Sequence, residues 1–538
     1  MARVENLWAR PSGHAEPPTT LTTAERTLHG TVWRIGTPLL ITQAAVLIVL
    51  NVVQYHRFAL SFDFATYYQA WWLIGHGHLN PLSTTLGIRF VANDFELLMW
   101  PLALLTTLST SPLVLLVVED FAVVATNAVT LSWALAVLEG SGLPLRRRQT
   151  IAAFALVSLL LNPWCYETAL WAFHPASVVA LLAVLAGRDL WRHANRRLLL
   201  WSPLLLLTGL IGLLSVVGLG ITALLLGRRG WHVGLPLLIL GLGLLLVLGQ
   251  VHLVGAGGTY AGSAFGYLVP HHRGATSAVQ VIAGLVQRPR LAATVLAATA
   301  PVVLLFLLPT GPLGAVSRWA IGMELTIILP PALAASAAFG LGAGLAFQVW
   351  PALPFVLLGT VMFLGSTRWP RAATGRAVPL AAGTCFLVTV LTAVTWLPYV
   401  FSQWVPPVAP GATKLLGRLQ RSVSPRDELV VWAPVAGRFA ARADLRAIVL
   451  PEMTIPVDRR VVTVILAPGE LGMAVPLADA DTFARRLVAL DHATLVERRD
   501  GVTVLRWYPS PAVRSIDFPS AALNTSGPRE FSIYAPPG

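Results

Sequence analysis

The stretch "GTPLLITQAAVLIVLNVV", residues 36–53, decides the fold class. It contains no charged residue and approaches the roughly 20 apolar residues that cross a bilayer as a helix. Similar runs occupy 234–254 and 291–309, and no alternating strand pattern competes with them. With 538 residues, 55% of them hydrophobic and 12% charged, and a mean hydropathy of +0.69, the chain is predicted to be an all-α polytopic membrane protein.

Short arginine clusters separate the apolar runs, and we expect these clusters to be cytoplasmic. They account for the net charge of +13, so the charge indicates membrane topology and a bilayer rather than nucleic acid. The segment 94–109 is predicted to be a juxtamembrane or re-entrant helix. About eleven crossings follow, at 36–55, 112–138, 150–162, 174–188, 198–212, 214–227, 233–254, 291–309, 321–342, 347–366 and 378–399.

Four regions follow from this topology. Residues 1–35 are predicted to be a disordered cytoplasmic tail, and 36–400 a transmembrane domain with a large first outer loop at 56–111. Short Val/Ile-rich runs and one helical stretch near 481–490 predict an extracytoplasmic α/β domain at 401–508, with a hairpin turn at Asp500-Gly501. Residues 509–538 are Pro/Ser-rich and are predicted to be an extended tail.

Asp63 stands among aromatic residues in "SFDFATYYQAWW", just after the first apolar run. A carboxylate at this position could face a polar cavity at the bilayer surface and act as a general base on a hydroxyl group. The alternative is a helix N-cap followed by an interfacial belt of aromatic side chains. The two roles are compatible. His76 and His78 follow in a Gly-containing turn, and of these we consider only His78 as a neighbour of the cavity.

Further polar residues are predicted on the same outer side. Asp94 and Glu96 could join Asp63 in an acidic pocket that binds a metal ion or orients an acceptor, or could complement a helix dipole. His174 could bind a phosphate or a sugar hydroxyl group, or could be a capping residue. A basic group at the outer interface would suit a lipid phosphate; it comprises His271, His272, Arg273, Arg288 and Arg290.

Glu119 and Asp120 are adjacent inside the apolar run "PLVLLVVEDFAVVA". Acids at this depth are costly and are functional candidates by default. Adjacent helical residues point about 100° apart, so at most one of the two faces a shared cavity. The other needs a bonding partner.

The order of these features resembles the multi-pass family called domain of unknown function 2079, found in actinobacteria and archaea. The resemblance rests on "FD" at 62–63, "QAWWLIGHGH" at 69–78, the apolar helix that begins with Asp94, "FHP" at 173–175 and "LP" at 329–330. That family is similar to the GT-C superfamily of polyprenyl-phosphate-sugar-dependent glycosyltransferases. The resemblance departs from the family pattern at Asp94-Phe95, at "LSVVGLG", 214–220, and at "FQVW", 347–350.

The resemblance implies a GT-C-like fold and an inverting glycosyltransferase of the plasma membrane, with Asp63 at the position of the essential acid of the first outer loop. Its donor would be a polyprenyl-phosphate sugar, and its acceptor a cell-wall glycan, a lipid or a protein of the cell envelope. No cofactor is assigned, and a divalent cation remains open. The alternatives are a transporter or lipid flippase, suggested by Glu119 and Asp120, and a non-catalytic membrane scaffold.

Overall fold

The structure is a computed structural model, and it describes residues 23–250, 265–269, 278–334, 346–366, 377–405, 409–467 and 476–526. Helices make up most of the chain before residue 405, and a β-sheet region with two helices follows. The helices of the first half are α1 Thr23–His56, α2 Phe62–Gly75, α3 Val91–Asp94, α4 Met99–Ala103, α5 Leu113–Glu139, α6 Leu145–Leu161, α7 Pro163–Leu170, α8 Pro175–Trp191, α9 Asn195–Leu206, α10 Leu210–Leu225 and α11 Arg228–Gln250.

The second half contains shorter and more irregular helices. One segment, Glu324–Ile328, is π-helical and separates two short α-helices. The helices are α12 Ala278–Gln287, α13 Pro289–Leu307, α14 Arg318–Met323, α15 Leu329–Leu333, α16 Ala346–Val349, α17 Leu353–Leu364, α18 Ala377–Trp404, α19 Pro410–Ser422 and α20 Leu477–Asp491.

Several helices are suited to a lipid environment. Within the described residues, six are long and apolar enough to cross a membrane, and two shorter apolar helices lie at Leu210–Leu225 and Trp350–Leu364. Large apolar side chains such as Ile41, Ile239 and Leu391 are exposed on them, as lipid contact requires. The chain is therefore a multi-pass membrane protein, but the predicted number of eleven crossings is not confirmed.

The structure adds detail to three segments that were predicted from the sequence. The segment between the predicted crossings 150–162 and 174–188 is helical from Pro163 to Leu170, because Asn162 caps α7 and Pro163 begins it. The expected helix 94–109 is broken after Asp94, because Phe95 is left-handed and ends α3, and the next helix begins only at Met99. The expected span 321–342 is helical from Arg318 to Leu333, with the π-helical segment Glu324–Ile328 in its middle, and residues 335–342 lie outside the described part.

The chain termini also differ from expectation. Residues 23–35, predicted to belong to a disordered tail, form the first turns of α1; residues 1–22 lie outside the described part. Residues 515–524, predicted to belong to an extended tail, contain two strands with Ile516 and Phe518 buried. The Pro/Ser-rich composition of the segment predicted an extended tail and gave no indication that these apolar residues are buried.

The C-terminal region contains two sheets. The strands of the chain are β1 Leu82–Ser83, β2 Ile88–Arg89, β3 Glu428–Trp432, β4 Leu445–Ile448, β5 Met453–Pro456, β6 Val462–Leu466, β7 Thr494–Arg499, β8 Val502–Trp507, β9 Ser515–Phe518 and β10 Leu523–Asn524. A five-stranded mixed sheet has the order β4-β3-β6-β8-β7, and a three-stranded antiparallel sheet has the order β10-β9-β5. The predicted hairpin joins β7 to β8, with Asp500 and Gly501 both at positive φ. A small β1–β2 ribbon lies between α2 and α3.

The C-terminal region packs directly on α2. Residues of both parts belong to one hydrophobic core, and the Gly437 N–H donates a 2.8 Å hydrogen bond to the Leu60 carbonyl. The Gln69 amide, on α2, donates to the Arg442 and Ala443 carbonyls at 3.1 and 3.2 Å. Because α2 carries Asp63 at its start, the sheet region supports the segment that holds this acid.

We predict that Gly437→Ala loosens this interface. The added Cβ would lie 2.5 Å from the Leu60 Cβ and 2.9 Å from the Phe64 Cδ1, so one surface must move. We expect a loss of about 1–3 kcal/mol in the free energy of unfolding, measured by thermal unfolding in detergent. The matched control is Gly417→Ala, whose Cβ would come no closer than 4.0 Å to Phe58. Equal melting temperatures for the two variants would contradict the prediction.

Candidate functional site

Asp63 lies in the first turn of α2, two residues after the N-cap position, which Ser61 occupies. The carboxylate is therefore not the N-cap, although it lies where a helix dipole favours negative charge. The residue is half-buried. The Trp171 side chain forms a hydrogen bond with the carboxyl group. Loss of hydration raises the pKa of Asp63 to about 6, and the Trp171 bond opposes that rise.

Trp171 lies in the tight turn between α7 and α8. It follows α7 directly, and its backbone N–H donates to the Glu167 carbonyl at 2.9 Å. The next residue, Ala172, has a φ of +85°, which is strained for a residue with a Cβ. The chain then enters α8 through His174 at the N-cap position and Pro175 at the first helical position. This short turn places the Trp171 indole beside Asp63.

His174 is buried beside the same turn. Its Nδ1 lies 3.0 Å from the Ala172 carbonyl oxygen, which can only accept, so Nδ1 carries a proton. In the neutral imidazole, Nε2 is then the acceptor. The ring centroid of His174 lies 5.1 Å from that of Tyr67 and 6.5 Å from that of Trp171. His174 is thus brought into the neighbourhood of Asp63.

Tyr67 connects Glu96 to this cluster. It lies four residues after Asp63, so both side chains occupy one face of α2. The Tyr67 hydroxyl donates a 3.0 Å hydrogen bond to Glu96 Oε1, and Glu96 is buried. Glu96 therefore shares a network with the residues around Asp63. The backbone of Asp94 ends α3 nearby in the chain, and its side chain is outside the described set.

The two buried acids of α5 face different neighbours, as their angular separation predicts. The Asn51 amide, on α1, donates to Asp120 Oδ1 at 2.8 Å. Glu119 Oε1 instead accepts from the His174 backbone N–H at 3.4 Å, and the Ser177 hydroxyl adjoins the same carboxyl group. Only Glu119 therefore contacts the turn beside the Asp63 cluster.

The basic residues are not placed in this cluster. Arg288 precedes α13 and donates to the Tyr267 carbonyl at 3.4 Å, while Arg290 is exposed in the first turn of α13. This helix packs mainly against α15 rather than α2. The predicted partners at 271–273, "HHR", lie outside the described residues. His76 and His78 are exposed, and His76 stacks on Trp72 with ring centroids 4.1 Å apart.

Among the residues that the structure describes, no three His, Cys, Asp or Glu side chains are grouped to hold a metal ion. Sequence reasoning also missed the roles of Tyr67 and Trp171. The spacing of four residues from Asp63 was the available signal for Tyr67. Trp171 had no local signal, because its bond to Asp63 joins segments far apart in the chain.

The apolar helices and the acid-aromatic cluster beside the first of them define a class: a multi-pass membrane protein with a candidate active site outside its long helices. The chain belongs to the family described as predicted membrane protein DUF2079, whose model matches residues 55–417. The family resemblance inferred from "FD", "QAWWLIGHGH" and "FHP" is therefore confirmed.

Two solved structures are similar to this chain, both of ArnT from Cupriavidus metallidurans. The structure bound to undecaprenyl phosphate has a TM-score of 0.47 at 12% identity, covering 87% of this chain and 97% of that chain. The apo structure has a TM-score of 0.42 at 13% identity, covering 87% and 98%. No curated protein matches the chain.

Proposed function

We propose that this chain is an integral membrane glycosyltransferase that moves a sugar from a polyprenyl-phosphate donor to an acceptor hydroxyl group. The observation that carries the proposal is the position of Asp63: a half-buried carboxyl group, just past the first long helix, bonded to Trp171 and with a pKa of about 6. A general base works best when its pKa lies near the working pH. The likeness of the family to GT-C enzymes supports the same reading.

Asp63 acts as the general base in this mechanism. The Asp63 carboxylate takes the proton of the acceptor hydroxyl while the hydroxyl oxygen attacks the anomeric carbon. The new glycosidic bond forms as the bond from that carbon to the phosphate oxygen breaks, and the electron pair leaves with the lipid phosphate. Attack from the face opposite the phosphate inverts the configuration of the anomeric carbon.

The neighbouring residues orient the acceptor. His174 offers Nε2 as a hydrogen-bond acceptor, because its Nδ1–H is held by the Ala172 carbonyl. The Tyr67 hydroxyl and the Glu96 carboxyl form a second polar site on the same side of α2. Asp94 is proposed to join Glu96 in binding the acceptor. Aromatic faces around these groups suit the apolar faces of sugar rings.

The leaving phosphate needs cationic or hydrogen-bonding partners, because its negative charge must be stabilised as the bond breaks. Arg288 and Arg290 begin α13 and are proposed for this role. His271, His272 and Arg273 are proposed to join them. In this arrangement the lipid tail of the donor lies along the apolar helices.

We place the site on the extracytoplasmic side of the plasma membrane, with the N-terminus in the cytoplasm and the sheet region outside. The arginine clusters between the apolar runs support this orientation. The acceptor is then a glycan, a lipid or a protein of the cell envelope. The sheet region, packed on α2, is well placed to contact it.

The pH dependence of transfer tests the role of Asp63. The carboxyl group must be ionised to accept a proton, so the rate constant is expected to fall about tenfold per pH unit below about pH 6 and to level off above it. The measurement is transfer from radiolabelled synthetic polyprenyl-phosphate hexoses and pentoses in proteoliposomes. A rate that stays constant from about pH 5 to pH 7, a range that spans this pKa, would exclude Asp63 as the base.

A further inference from the structure

Glu119 is a buried acid that the proposed mechanism does not use. It lies on α5, yet its Oε1 accepts the backbone N–H of His174, on the turn between α7 and α8. We propose that Glu119 is a positioning residue, whose carboxyl group clamps this turn and so holds the Trp171 indole against Asp63. The inference deepens the proposed function, on which it rests.

The turn needs an external clamp because its backbone is strained. Ala172 has a φ of +85°, a conformation that costs a residue with a Cβ on the order of 1 kcal/mol. Such a conformation persists only where the surroundings over-determine it. Two contacts hold it from within: His174 Nδ1 to the Ala172 carbonyl at 3.0 Å, and Ser177 Oγ to the His174 carbonyl at 2.9 Å.

Glu119 supplies the contact from outside the turn. Its bond to the His174 N–H fixes the turn relative to α5, a long helix packed against both α1 and α8. The neighbouring acid, Asp120, bonds to Asn51 and does not hold the turn. Adjacent acids on one helix thus have separate tasks. Asp120 ties α5 to α1, and Glu119 ties α5 to the Trp171 turn.

Loss of the clamp is expected to raise the pKa of Asp63. The Trp171 bond lowers the pKa of Asp63 against the rise that desolvation causes. A turn released from Glu119 moves the indole away, so the pKa of Asp63 rises. The titratable groups beside the clamp are Asp120 on α5 and His174 at the start of α8, and Tyr67 shares the helix face of Asp63.

The experiment measures the protonation of Asp63 in the purified full-length protein in detergent. An apolar carbodiimide labels the protonated carboxyl group, and mass spectrometry of the peptide that contains Asp63 gives the midpoint of labelling against pH. We expect a midpoint near 6 for the unmodified chain. For Glu119→Ala and for Trp171→Phe we expect midpoints higher by roughly half a unit or more.

Three further variants make the test specific. Glu119→Gln keeps an acceptor for the His174 N–H and should restore the original midpoint, and Asp120→Asn should leave it unchanged. Ser177→Ala removes the hydroxyl that donates to the His174 carbonyl and adjoins the Glu119 carboxyl group, so it weakens the same clamp. It should shift the midpoint upward to a smaller extent, which provides a result if Glu119→Ala does not fold. An unshifted midpoint in Glu119→Ala, or in Ser177→Ala if that variant alone folds, would overturn the clamp.

This readout is independent of the proposed function, because no donor or acceptor is present. If the unmodified protein transfers no sugar but the midpoints shift as expected, the clamp stands and the proposed function fails. If transfer occurs and the Glu119→Ala midpoint is unchanged, the clamp fails alone. A purely structural role of Glu119 would lower the yield of folded protein and leave the midpoint where it was.

Discussion

Replacing Asp63 with Asn is expected to lower the rate constant of sugar transfer by about 10²–10⁴-fold, which is the usual contribution of a positioned general base. Asn has nearly the same shape as Asp but cannot accept the proton of the acceptor hydroxyl. It can still accept a hydrogen bond from Trp171 through its side-chain carbonyl, so the site should remain assembled. The measurement is single-turnover transfer from a labelled polyprenyl-phosphate sugar in proteoliposomes.

Two controls separate chemistry from structure in this experiment. His78→Ala changes an exposed residue of the loop after α2 and should transfer sugar at the original rate. The melting temperature of Asp63→Asn should equal or exceed that of the original chain, because a half-buried charge has been removed. Transfer by Asp63→Asn within a few-fold of the original rate would refute the proposed mechanism.

The sequence predicted those parts of the fold that depend on local pattern. A membrane-spanning helix must satisfy its own backbone hydrogen bonds over a fixed thickness, so α5 and α13 could be located within a few residues from apolar length alone. The hairpin at Asp500-Gly501 also follows from local chemistry, because these two residues accept positive φ. Asp63 was found because it is a lone acid among aromatic residues just after an apolar run.

The remaining features depend on contacts between distant segments. Residues 515–518 form a strand because they pair with β5, and nothing in the local sequence of the Pro/Ser-rich tail indicates this pairing. The left-handed Phe95 breaks a helix that periodicity alone would continue. Likewise, the bond from Trp171 to Asp63 and the bond from His174 to Glu119 exist only once α2, α5, α7 and α8 are assembled. The sequence therefore predicted Asp63 as a candidate residue, but it could not predict the contacts that surround this residue.

The largest expected effect on stability comes from the buried ion pair of the sheet region. Glu428, on β3, is fully buried, and Arg446, on the neighbouring β4, lies 3.4 Å from it. Glu428 Oε2 also accepts the backbone N–H groups of Asp458 and Arg459 at 2.8 and 3.1 Å. Arg446 reaches Asp458 Oδ2 at 2.6 Å and the Thr84 carbonyl, in the loop between α2 and α3, at 3.1 Å. One guanidinium group thus links the sheet to that loop.

Replacing Arg446 with Met is expected to lower the free energy of unfolding by about 3–5 kcal/mol, because it leaves the Glu428 carboxylate buried without its counter-charge. The control is Arg498→Met, which breaks an exposed pair with Asp481 at 2.9 Å and should cost less than about 1 kcal/mol. Both variants are measured by thermal unfolding in detergent. Because Arg446 also holds Thr84, its loss should expose the β1–β2 ribbon to proteolysis before the membrane helices unfold. A melting temperature for Arg446→Met equal to that of Arg498→Met would show that the buried pair does not stabilise the interface.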